Sequence, residues 1–373
     1  MRIAFNALSV TNLSGRHVLL GHVREVIKAT EGRGRHVLLY HAASRDLRDV
    51  LSGSMDCIEC PTMTARWPAR WLWERTRLPR VLRRLGVDAL FIPTGMVAYG
   101  VDLPQVVLAQ NPWCLVPELL HGPAERLKAR LQRSAYRRAQ AEAELMLFNS
   151  QYMRQVYFEN AGFEPVDSVI LHQGIAEATF AAGALAGDFA DRRCEILTVS
   201  VMARHKAIEV IVEAVALLRR KGIPVTLTLV GPWADMTYET LVRKRIADLG
   251  LADQVALTGE VSRDQLHTHF GRARVFCLLS RCESFGIPAI EGEAFGTPSV
   301  VADCGAPPEI AGPGGVVVPP ADPTAAADAL TPLLTDPVTW AALSAKARAN
   351  AERFHWARCS RPLVEWINRT DRA

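Results

Sequence analysis

Short apolar or β-branched segments alternate with longer amphipathic segments along the chain, and this alternation limits the fold more than any other feature. Two neighbouring parallel strands need a crossover of about a dozen residues or more, which a helix supplies. The alternation therefore predicts an α/β protein with parallel sheets and helices on both faces. The predicted strands are Arg2–Leu8, Val37–Tyr40, Ala89–Ile92, Gln105–Ala109, Leu145–Phe148, Ser168–Leu171, Ile196–Ser200, Val225–Val230, Val255–Thr258, Val275–Leu279, Ser299–Ala302 and Gly315–Val318. The predicted helices are Val18–Ala29, Pro123–Ala143, Gln151–Ala161, Ala207–Lys221, Tyr238–Leu249, Arg263–Gly271, Pro288–Phe295 and Thr324–Leu334.

The length of 373 residues is more than one hydrophobic core usually serves, so we expect two doubly wound domains. The boundary is predicted in the stretch Glu177–Arg193, which gives domains of residues 1–180 and 181–352. A last helix at about 353–373 is expected to pack back on the first domain. The chain starts with a strand-like segment and has no run of roughly 18 apolar residues, so we expect a cytoplasmic protein.

The eight cysteines show no spacing typical of a disulfide framework or a metal site. Cys57 and Cys60 form a lone C-x-x-C pair with no second pair and no histidines nearby. We expect reduced thiols with structural roles and no bound metal.

One segment of the second half, residues 280–299, carries most of the chemical information. Its loop follows the predicted strand Val275–Leu279 and leads into a helix with Pro288 in the first turn and Gly296 at the end. The amides of Phe285, Gly286 and Ile287 then lie at a helix N-terminus, which is a natural site for an anion.

Two glutamates flank this amide cluster, Glu283 before it and Glu291 one turn inside the helix. Carboxylates accept hydrogen bonds from neighbouring hydroxyls, so the arrangement suits a ligand with both hydroxyl and phosphate groups. Taken singly, Glu283 could be a cap partner and Glu291 a solvated residue on the helix face.

Residues Glu283–Val301 have the sequence E-S-F-G-I-P-A-I-E-G-E-A-F-G-T-P-S-V-V. The segment resembles the E-x7-E signature of glycosyltransferase family 4, E-G-F-G-L-P-x-L-E-A-M-A-C-G-T-P-V-V. The resemblance is strong over residues 195–320 and weak before about residue 145. Further family landmarks are similar at Leu229–Gly231, Thr258–Val261, Ala273–Phe276, Gly305–Ile310, Gly314–Pro319, Phe148–Ser150 and His172–Ile175.

The resemblance implies the GT-B fold, two Rossmann-like domains that face each other across a cleft. It also implies that anomeric configuration is retained without a metal or another cofactor. Glu283 would touch the transferred sugar near its anomeric carbon, and Glu291 would bind the ribose hydroxyls. The main chain at Ser284, Phe285, Gly286 and Ile287 would hold the sugar and the distal phosphate.

A basic pair that neutralises the diphosphate is only partly present. Lys206 matches the family lysine, whereas Val201 stands where many members have arginine. Arg204 is the candidate for the missing charge, although an exposed Arg-His-Lys turn is the alternative. Gly231, at the end of a predicted strand, would line the donor site.

The first half departs further from the family pattern. Its first strand leads into Asn12-Leu13-Ser14-Gly15, so Gly15 replaces the paired glycines that let a ligand approach the main chain. A turn glycine without contact to a ligand is the alternative. Asn111 stands where the family often has His-Asp, and it could bind a sugar hydroxyl but not transfer a proton as histidine can.

The positive charge is concentrated in the first half, where residues 1–180 hold 22 Lys and Arg against 17 Asp and Glu. Tryptophans and arginines are interleaved over residues 66–84, and a second basic segment covers residues 126–138. Such segments bind anionic membranes or single-stranded nucleic acid, or they are solvated faces with the tryptophans in the core. Because related enzymes often use lipid-linked acceptors, we expect a peripheral contact with the inner face of the plasma membrane and no nucleic acid.

The sequence thus predicts a retaining hexosyltransferase whose donor is a GDP- or UDP-linked sugar. The acceptor would be a glycan or a lipid-linked glycan, in the synthesis of a cell-surface polysaccharide or glycoconjugate. Three alternatives stay open: a sugar-nucleotide epimerase of the same fold, a non-catalytic sugar-nucleotide-binding protein, and a nucleic-acid binder.

Overall fold

The computed structural model describes residues 1–11, 13–31, 33, 35–120, 122–165 and 167–371. The chain divides into two compact units. The first comprises Met1–Gly174 and Trp356–Ala373, and the second comprises Ile175–His355. The observed division therefore lies just before the predicted boundary stretch Glu177–Arg193, and the end of the chain belongs to the first unit.

The described part of the first unit contains a seven-stranded parallel sheet in the order β3-β2-β1-β4-β5-β6-β7. The order reverses between β1 and β4. The strands are β1 Ile3–Asn6, β2 Val37–Tyr40, β3 Asp56–Glu59, β4 Ala89–Ile92, β5 Gln105–Ala109, β6 Leu145–Phe148 and β7 Ser168–Ile170. The helices are α1 Leu13–Ala29, α2 Arg45–Leu51, α3 Trp67–Thr76, α4 Leu78–Leu85, α5 Pro123–Glu142 and α6 Gln151–Ala161.

The second unit is built on a six-stranded parallel sheet in the order β10-β9-β8-β11-β12-β13. Here the order reverses between β8 and β11. The strands are β8 Arg193–Val199, β9 Thr226–Val230, β10 Val255–Gly259, β11 Ala273–Leu278, β12 Ser299–Ala302 and β13 Gly315–Val318. The helices are α7 Glu177–Gly183, α8 Ile208–Arg220, α9 Met236–Asp248, α10 Arg263–Arg272, α11 Ile287–Ala294, α12 Pro307–Ala311, α13 Pro323–Thr335 and α14 Pro337–Ala351. The chain ends with α15 Trp356–Cys359 and α16 Arg361–Thr370 in the first unit.

Helix α8 shows how the sequence builds this core. Its apolar residues recur with helical period, and Ile208, Ile211, Val215 and Leu218 are fully buried against the sheet. Each such side chain contributes about 1.5–3 kcal/mol when it leaves water. The α/β fold class predicted from this patterning is confirmed. Among the residues that the structure describes, no helix has the length and apolar character needed to cross a membrane.

The edge strand β3 was not predicted. It contains Cys57, and its residues are only partly buried, so the apolar run that marks the central strands is missing. Helix α1 also begins earlier than predicted, at Leu13 rather than Val18, because small and polar residues are well tolerated in a first helical turn.

Candidate active site

The central feature of the second unit is a charged pair at the carboxyl ends of β8 and β11. Lys206 follows β8 in a short 3-10 turn, Arg204–Lys206, and Glu283 follows β11. The Lys206 ammonium group donates to Glu283 Oε2, and both side chains are largely buried. In open parallel sheets, ligands bind in the crevice where the strand order reverses, and this pair lies there.

The loop that carries Glu283 is fixed by close backbone contacts. The Glu283 carbonyl oxygen accepts a hydrogen bond from Ala306 N at 3.0 Å. A Cβ at Gly305 would overlap that same carbonyl oxygen, so only glycine lets the two loops approach. Gly286 has a φ of 102°, a left-handed conformation that glycine adopts without strain.

Helix α11 begins directly after Gly286, with Pro288 in its first turn as predicted. The main chain at Phe285, Gly286 and Ile287 therefore leads into a helix N-terminus beside the Lys206–Glu283 pair. The Phe285 ring itself is buried and packs edge-to-face on Phe354 at 6.0 Å. The positive end of the helix dipole and the lysine make this a favourable place for an anion.

Glu291 lies deeper on α11, with a side chain that is 8% exposed. Its Oε1 accepts a hydrogen bond from Arg263 Nη1 at 2.8 Å. Burial raises the pKa of the Glu291 carboxyl, and the positive charge of Arg263 opposes this shift. Arg263 was not predicted as a site residue. Its position shortly after β10, separated from the strand by Glu260, Val261 and the capping residue Ser262, was the available signal, because the carboxyl ends of parallel strands share one edge.

Arg204 contacts a different carboxylate from the one that Lys206 contacts. Its guanidinium lies 3.5 Å from an Asp235 carboxylate oxygen and over the ring of Tyr238 at 5.6 Å. Of the two predicted cations, Lys206 is therefore the one that the structure brings to the glutamate. Arg281, which was also not predicted, donates to Glu209 at 2.8 Å.

Gly231 directly follows β9 and has a φ of 131°. Its N–H donates to the Gly259 carbonyl at 2.8 Å, and a Cβ here would overlap the carbonyl oxygen of Ser200. The glycine therefore allows the ends of β8, β9 and β10 to pack closely at the same edge as Lys206.

The predicted residues of the first unit lie near the carboxyl ends of its strands. Gly15 is in the first turn of α1 rather than in a loop before it, and Asn12 lies outside the described residues. Asn111 follows β5, and its Oδ1 accepts a hydrogen bond from Trp113 N at 3.0 Å. That carboxamide oxygen thus closes a turn.

A polar cluster at the end of β1 was not predicted. Glu74 of α3 accepts from Asn6 Nδ2 at 2.8 Å, and burial raises the pKa of its carboxyl. Arg70 stands beside it and donates to the Leu8 carbonyl at 3.1 Å. Arg70 is half-buried and therefore does not belong to an exposed basic face.

Helices α3, α4 and α5 nonetheless present an exposed apolar and basic surface, the α3–α5 face. Trp67 and Trp71 are 58% and 45% exposed, whereas Trp73 packs toward the core. The Tyr99 ring joins α3 to α5, because it contacts Trp71 edge-to-face and lies under the Arg138 guanidinium at 3.9 Å. The other exposed residues of this face are Leu72, Arg75, Arg77, Arg80, Arg83, Arg84, Arg126, Leu127, Lys128, Arg130 and Leu131.

Comparison with known proteins identifies relatives of this chain. Residues 187–354 match the family model "Glycosyl transferases group 1". The D-inositol 3-phosphate glycosyltransferase of Kineococcus radiotolerans is 30% identical over 257 residues, which cover 62% of this chain and 59% of that protein. A GDP-mannose-dependent alpha-(1-6)-phosphatidylinositol monomannoside mannosyltransferase of Mycolicibacterium smegmatis is 28% identical over 258 residues, 64% of this chain and 62% of that protein. The matched part thus spans about three fifths of each curated relative.

The fold extends over the whole chain. The crystal structure of Anabaena HepE in complex with UDP and glucose superposes with a TM-score of 0.71 at 18% identity, and the match covers 99% of both chains. Together with the two parallel-sheet units, this likeness confirms the predicted GT-B fold. The resemblance noted in the sequence is likewise confirmed. The chain has the GT-B fold, and its residues 187–354 match the glycosyl transferases group 1 family.

Proposed function

We propose that this protein is a retaining glycosyltransferase that moves a hexose from a nucleoside-diphosphate sugar to a glycan or lipid-linked acceptor. The Lys206–Glu283 pair carries the proposal, because it lies at the switch point of the second sheet and beside the α11 N-terminus. Cation, carboxylate and helix dipole together suit a ligand that combines phosphate with hydroxyl groups. The group 1 domain in the same unit supports this choice.

Each donor group has a partner in this arrangement. Lys206 and the main chain at residues 284–287 would hold the diphosphate, and Glu283 would accept from hydroxyls of the transferred sugar. Glu291 would accept from the ribose hydroxyls. Without donor, Lys206 and Glu283 form an ion pair with each other. In the proposed complex, Lys206 would instead contact the diphosphate and Glu283 the transferred sugar.

In the proposed reaction, the bond between the anomeric carbon and the diphosphate oxygen breaks, and a bond to the acceptor hydroxyl oxygen forms on the same face. The acceptor proton passes to an oxygen of the leaving diphosphate. Negative charge grows on that diphosphate in the transition state, where Lys206 and the helix dipole stabilise it. We propose that this positive charge makes a metal ion unnecessary.

The names of the relatives guide the choice of substrate. One is named for GDP-mannose and a phosphatidylinositol mannoside, and a solved structure holds UDP and glucose. We therefore propose a GDP- or UDP-linked hexose as donor. For the acceptor we propose a glycan or glycolipid made for a cell-surface polysaccharide or glycoconjugate.

A thermal-shift screen against UDP- and GDP-sugars tests the donor, because a ligand that binds only the folded state raises the melting temperature. NMR analysis of products then separates the alternatives. A new glycosidic bond with the donor's anomeric configuration supports retaining transfer, and an inverted bond contradicts it. A changed sugar nucleotide without acceptor indicates an epimerase, and binding without turnover indicates a non-catalytic protein.

We also propose that the α3–α5 face docks on an anionic membrane surface, at the inner face of the plasma membrane. Exposed tryptophans beside exposed arginines support this, because the rings suit the interface and the charges attract anionic lipid headgroups. A lipid-linked acceptor would then be presented to a protein held at the same surface.

A further inference from the structure

The contact between Arg263 and Glu291 joins an exposed cation to a buried carboxylate. The Arg263 side chain is 50% exposed and that of Glu291 is 8% exposed. Arg263 is the first residue of α10, and its backbone is held by a capping box in which Ser262 and Gln265 bond reciprocally at 2.9 and 3.3 Å. The main chain at Arg263, from which the side chain extends to the carboxylate, is therefore held in place.

The carboxylate has two oxygens, and Arg263 occupies only Oε1. A side chain held through one oxygen keeps a single orientation and can still accept hydrogen bonds at the other. We propose that Arg263 is a positioning residue for donor binding, holding Glu291 so that its second oxygen, Oε2, accepts the ribose hydroxyls. This inference rests on the proposed function, in which Glu291 is the ribose ligand.

Charge gives Arg263 a second effect on Glu291. Burial favours the neutral carboxyl, and an opposite charge at hydrogen-bonding distance favours the carboxylate. Ribose hydroxyls bind the carboxylate better, because it accepts at both oxygens whereas a neutral carboxyl donates from one. Loss of Arg263 should therefore weaken donor binding, and most strongly at low pH.

Three other ionisable groups on or next to α11 have their own contacts. Arg348 of α14 donates to the Gly183 carbonyl at 2.9 Å. His267 of α10 packs against the Phe295 ring, and burial together with the nearby Arg263 charge lowers the pKa of His267. Glu293, two residues after Glu291, accepts from Asn350 at 2.7 Å. Within the described part of the chain, Arg263 is the charged group found to act on the Glu291 carboxyl.

The test is calorimetric titration of full-length protein with UDP-glucose and with GDP-mannose between about pH 5.5 and about pH 8.5. Free UDP is avoided because a terminal phosphate titrates near pH 6, at about the same place as the expected effect. The variants are Arg263→Met, Arg263→Lys as a rescue that keeps the charge, and Arg243→Met as a matched control. Arg243 forms a similar exposed ion pair, with Glu239 at 2.7 Å on α9.

We expect Arg263→Met to bind the donor about tenfold or more weakly near pH 6, because losing the neighbouring positive charge raises the pKa of the buried Glu291 carboxyl further and favours its neutral form. The deficit should shrink as pH rises, Arg263→Lys should recover part of the affinity, and Arg243→Met should match wild type. Unchanged affinity and pH profile in Arg263→Met would overturn the inference. Tighter binding would also overturn it, since Arg263 would then compete with the donor. If wild type binds neither sugar nucleotide, the proposed function fails and this inference fails with it.

Discussion

Lys206 is the residue on which the proposed chemistry depends most directly. We predict that Lys206→Ala lowers turnover of the donor by more than tenfold, since a tenfold loss corresponds to only about 1.4 kcal/mol of transition-state stabilisation. Lys206→Arg keeps the charge and should retain more activity than the alanine variant. Steady-state kinetics with and without magnesium provide the measurement. Rescue of Lys206→Ala by magnesium, or loss of wild-type activity with a chelator, would contradict the metal-independent proposal.

Glu283 and Glu291 should be separable by the step that each affects. We predict that Glu291→Ala weakens nucleotide binding, because the carboxylate faces the ribose in the proposed complex. Glu283→Ala should bind nucleotide but turn over slowly, because its proposed contact is with the transferred sugar. Calorimetry with the nucleoside diphosphate and kinetics with saturating donor distinguish the two effects. Wild-type behaviour of either variant would remove its assigned role.

Glu293 is a buried carboxyl that the proposed reaction does not use, at a position where the family signature has methionine. One oxygen accepts from Asn350 at 2.7 Å, and burial raises the pKa of the carboxyl to about 8. In the unfolded chain it would titrate near 4.5. Between these values the folded protein holds a proton that the unfolded chain has released, so stability falls as pH rises through this window.

We therefore predict that Glu293→Gln, which mimics the neutral carboxyl, removes this pH dependence. Its melting temperature should exceed that of wild type by about 3 °C or more near pH 8.5, and the difference should vanish near pH 4.5. Glu260→Gln changes an exposed glutamate and serves as the control. Parallel melting curves for Glu293→Gln and wild type at every pH would refute the prediction.

The residues that the sequence pattern itself predicted lie within one continuous motif, whereas Lys206 was predicted from the family resemblance. Glu283, Gly286 and Glu291 are linked by fixed spacing along the chain, so a loop and a helix start could be predicted with them. Arg263 was not predicted because it lies 28 residues from Glu291 in the sequence, and the two come together only when the sheet has formed. The Asn6–Glu74 contact spans 68 residues and was missed for the same reason.

At the scale of elements, buried strands were predicted well because their apolar runs are short and bounded by helices. Several were predicted with the observed limits, among them Val37–Tyr40 and Ser299–Ala302. The strand β3 lies at the sheet edge, where no apolar run is needed, and the pattern therefore carries no signal. Helices α3 and α4 were not predicted, because their exposed tryptophans and arginines interrupt the apolar pattern by which a helix is recognised.

The junction of β8, β9 and β10 gives a prediction about backbone packing. Gly231→Ala should lower the melting temperature strongly, because the new Cβ would meet the Ser200 carbonyl oxygen in addition to the strain of a φ of 131°. Gly250→Ala is the matched control, since Gly250 has a φ of 65° but open space around a Cβ. Left-handed strain costs about 1–2 kcal/mol at Gly250. The larger loss expected at Gly231 combines the clash with a φ that side-chain-bearing residues adopt even less readily. Equal melting temperatures would show that Ser200 moves aside.

At the scale of the molecule, the fold could be predicted because both units repeat the same strand–helix alternation. The identity of the acceptor could not be predicted, because the first unit resembles the family only weakly and has Asn111 where the family often has His-Asp. The charge distribution was the other property of the whole chain that predicted a partner, because residues 1–180 hold 22 Lys and Arg against 17 Asp and Glu. In the structure, Arg70 is half-buried and bonds to the Leu8 carbonyl, whereas the residues of the α3–α5 face are exposed.

This face leads to a prediction about the whole protein, that it binds anionic vesicles and binds neutral ones far less. Each Lys or Arg at an anionic surface contributes about 1 kcal/mol, and the attraction fades within a Debye length of about 10 Å at 0.1 M salt. The α3–α5 face exposes four arginines around α4, Arg77, Arg80, Arg83 and Arg84. Replacing these four with glutamate should release the protein from the vesicles but leave donor binding by the second unit unchanged.

Co-sedimentation with vesicles of phosphatidylserine and phosphatidylcholine, or of phosphatidylcholine alone, at low and high salt provides the measurement. The control replaces four exposed basic residues of the second unit with glutamate, Arg219, Arg220, Lys244 and Lys346, and so changes the net charge equally. If only the first variant loses binding, the α3–α5 face is the docking surface, because a general charge effect would release both. Replacing Trp67 and Trp71 with serine should weaken binding further at high salt, where the apolar contribution remains. A wild-type protein that stays in the supernatant at low salt would contradict membrane docking and favour an acceptor free in solution.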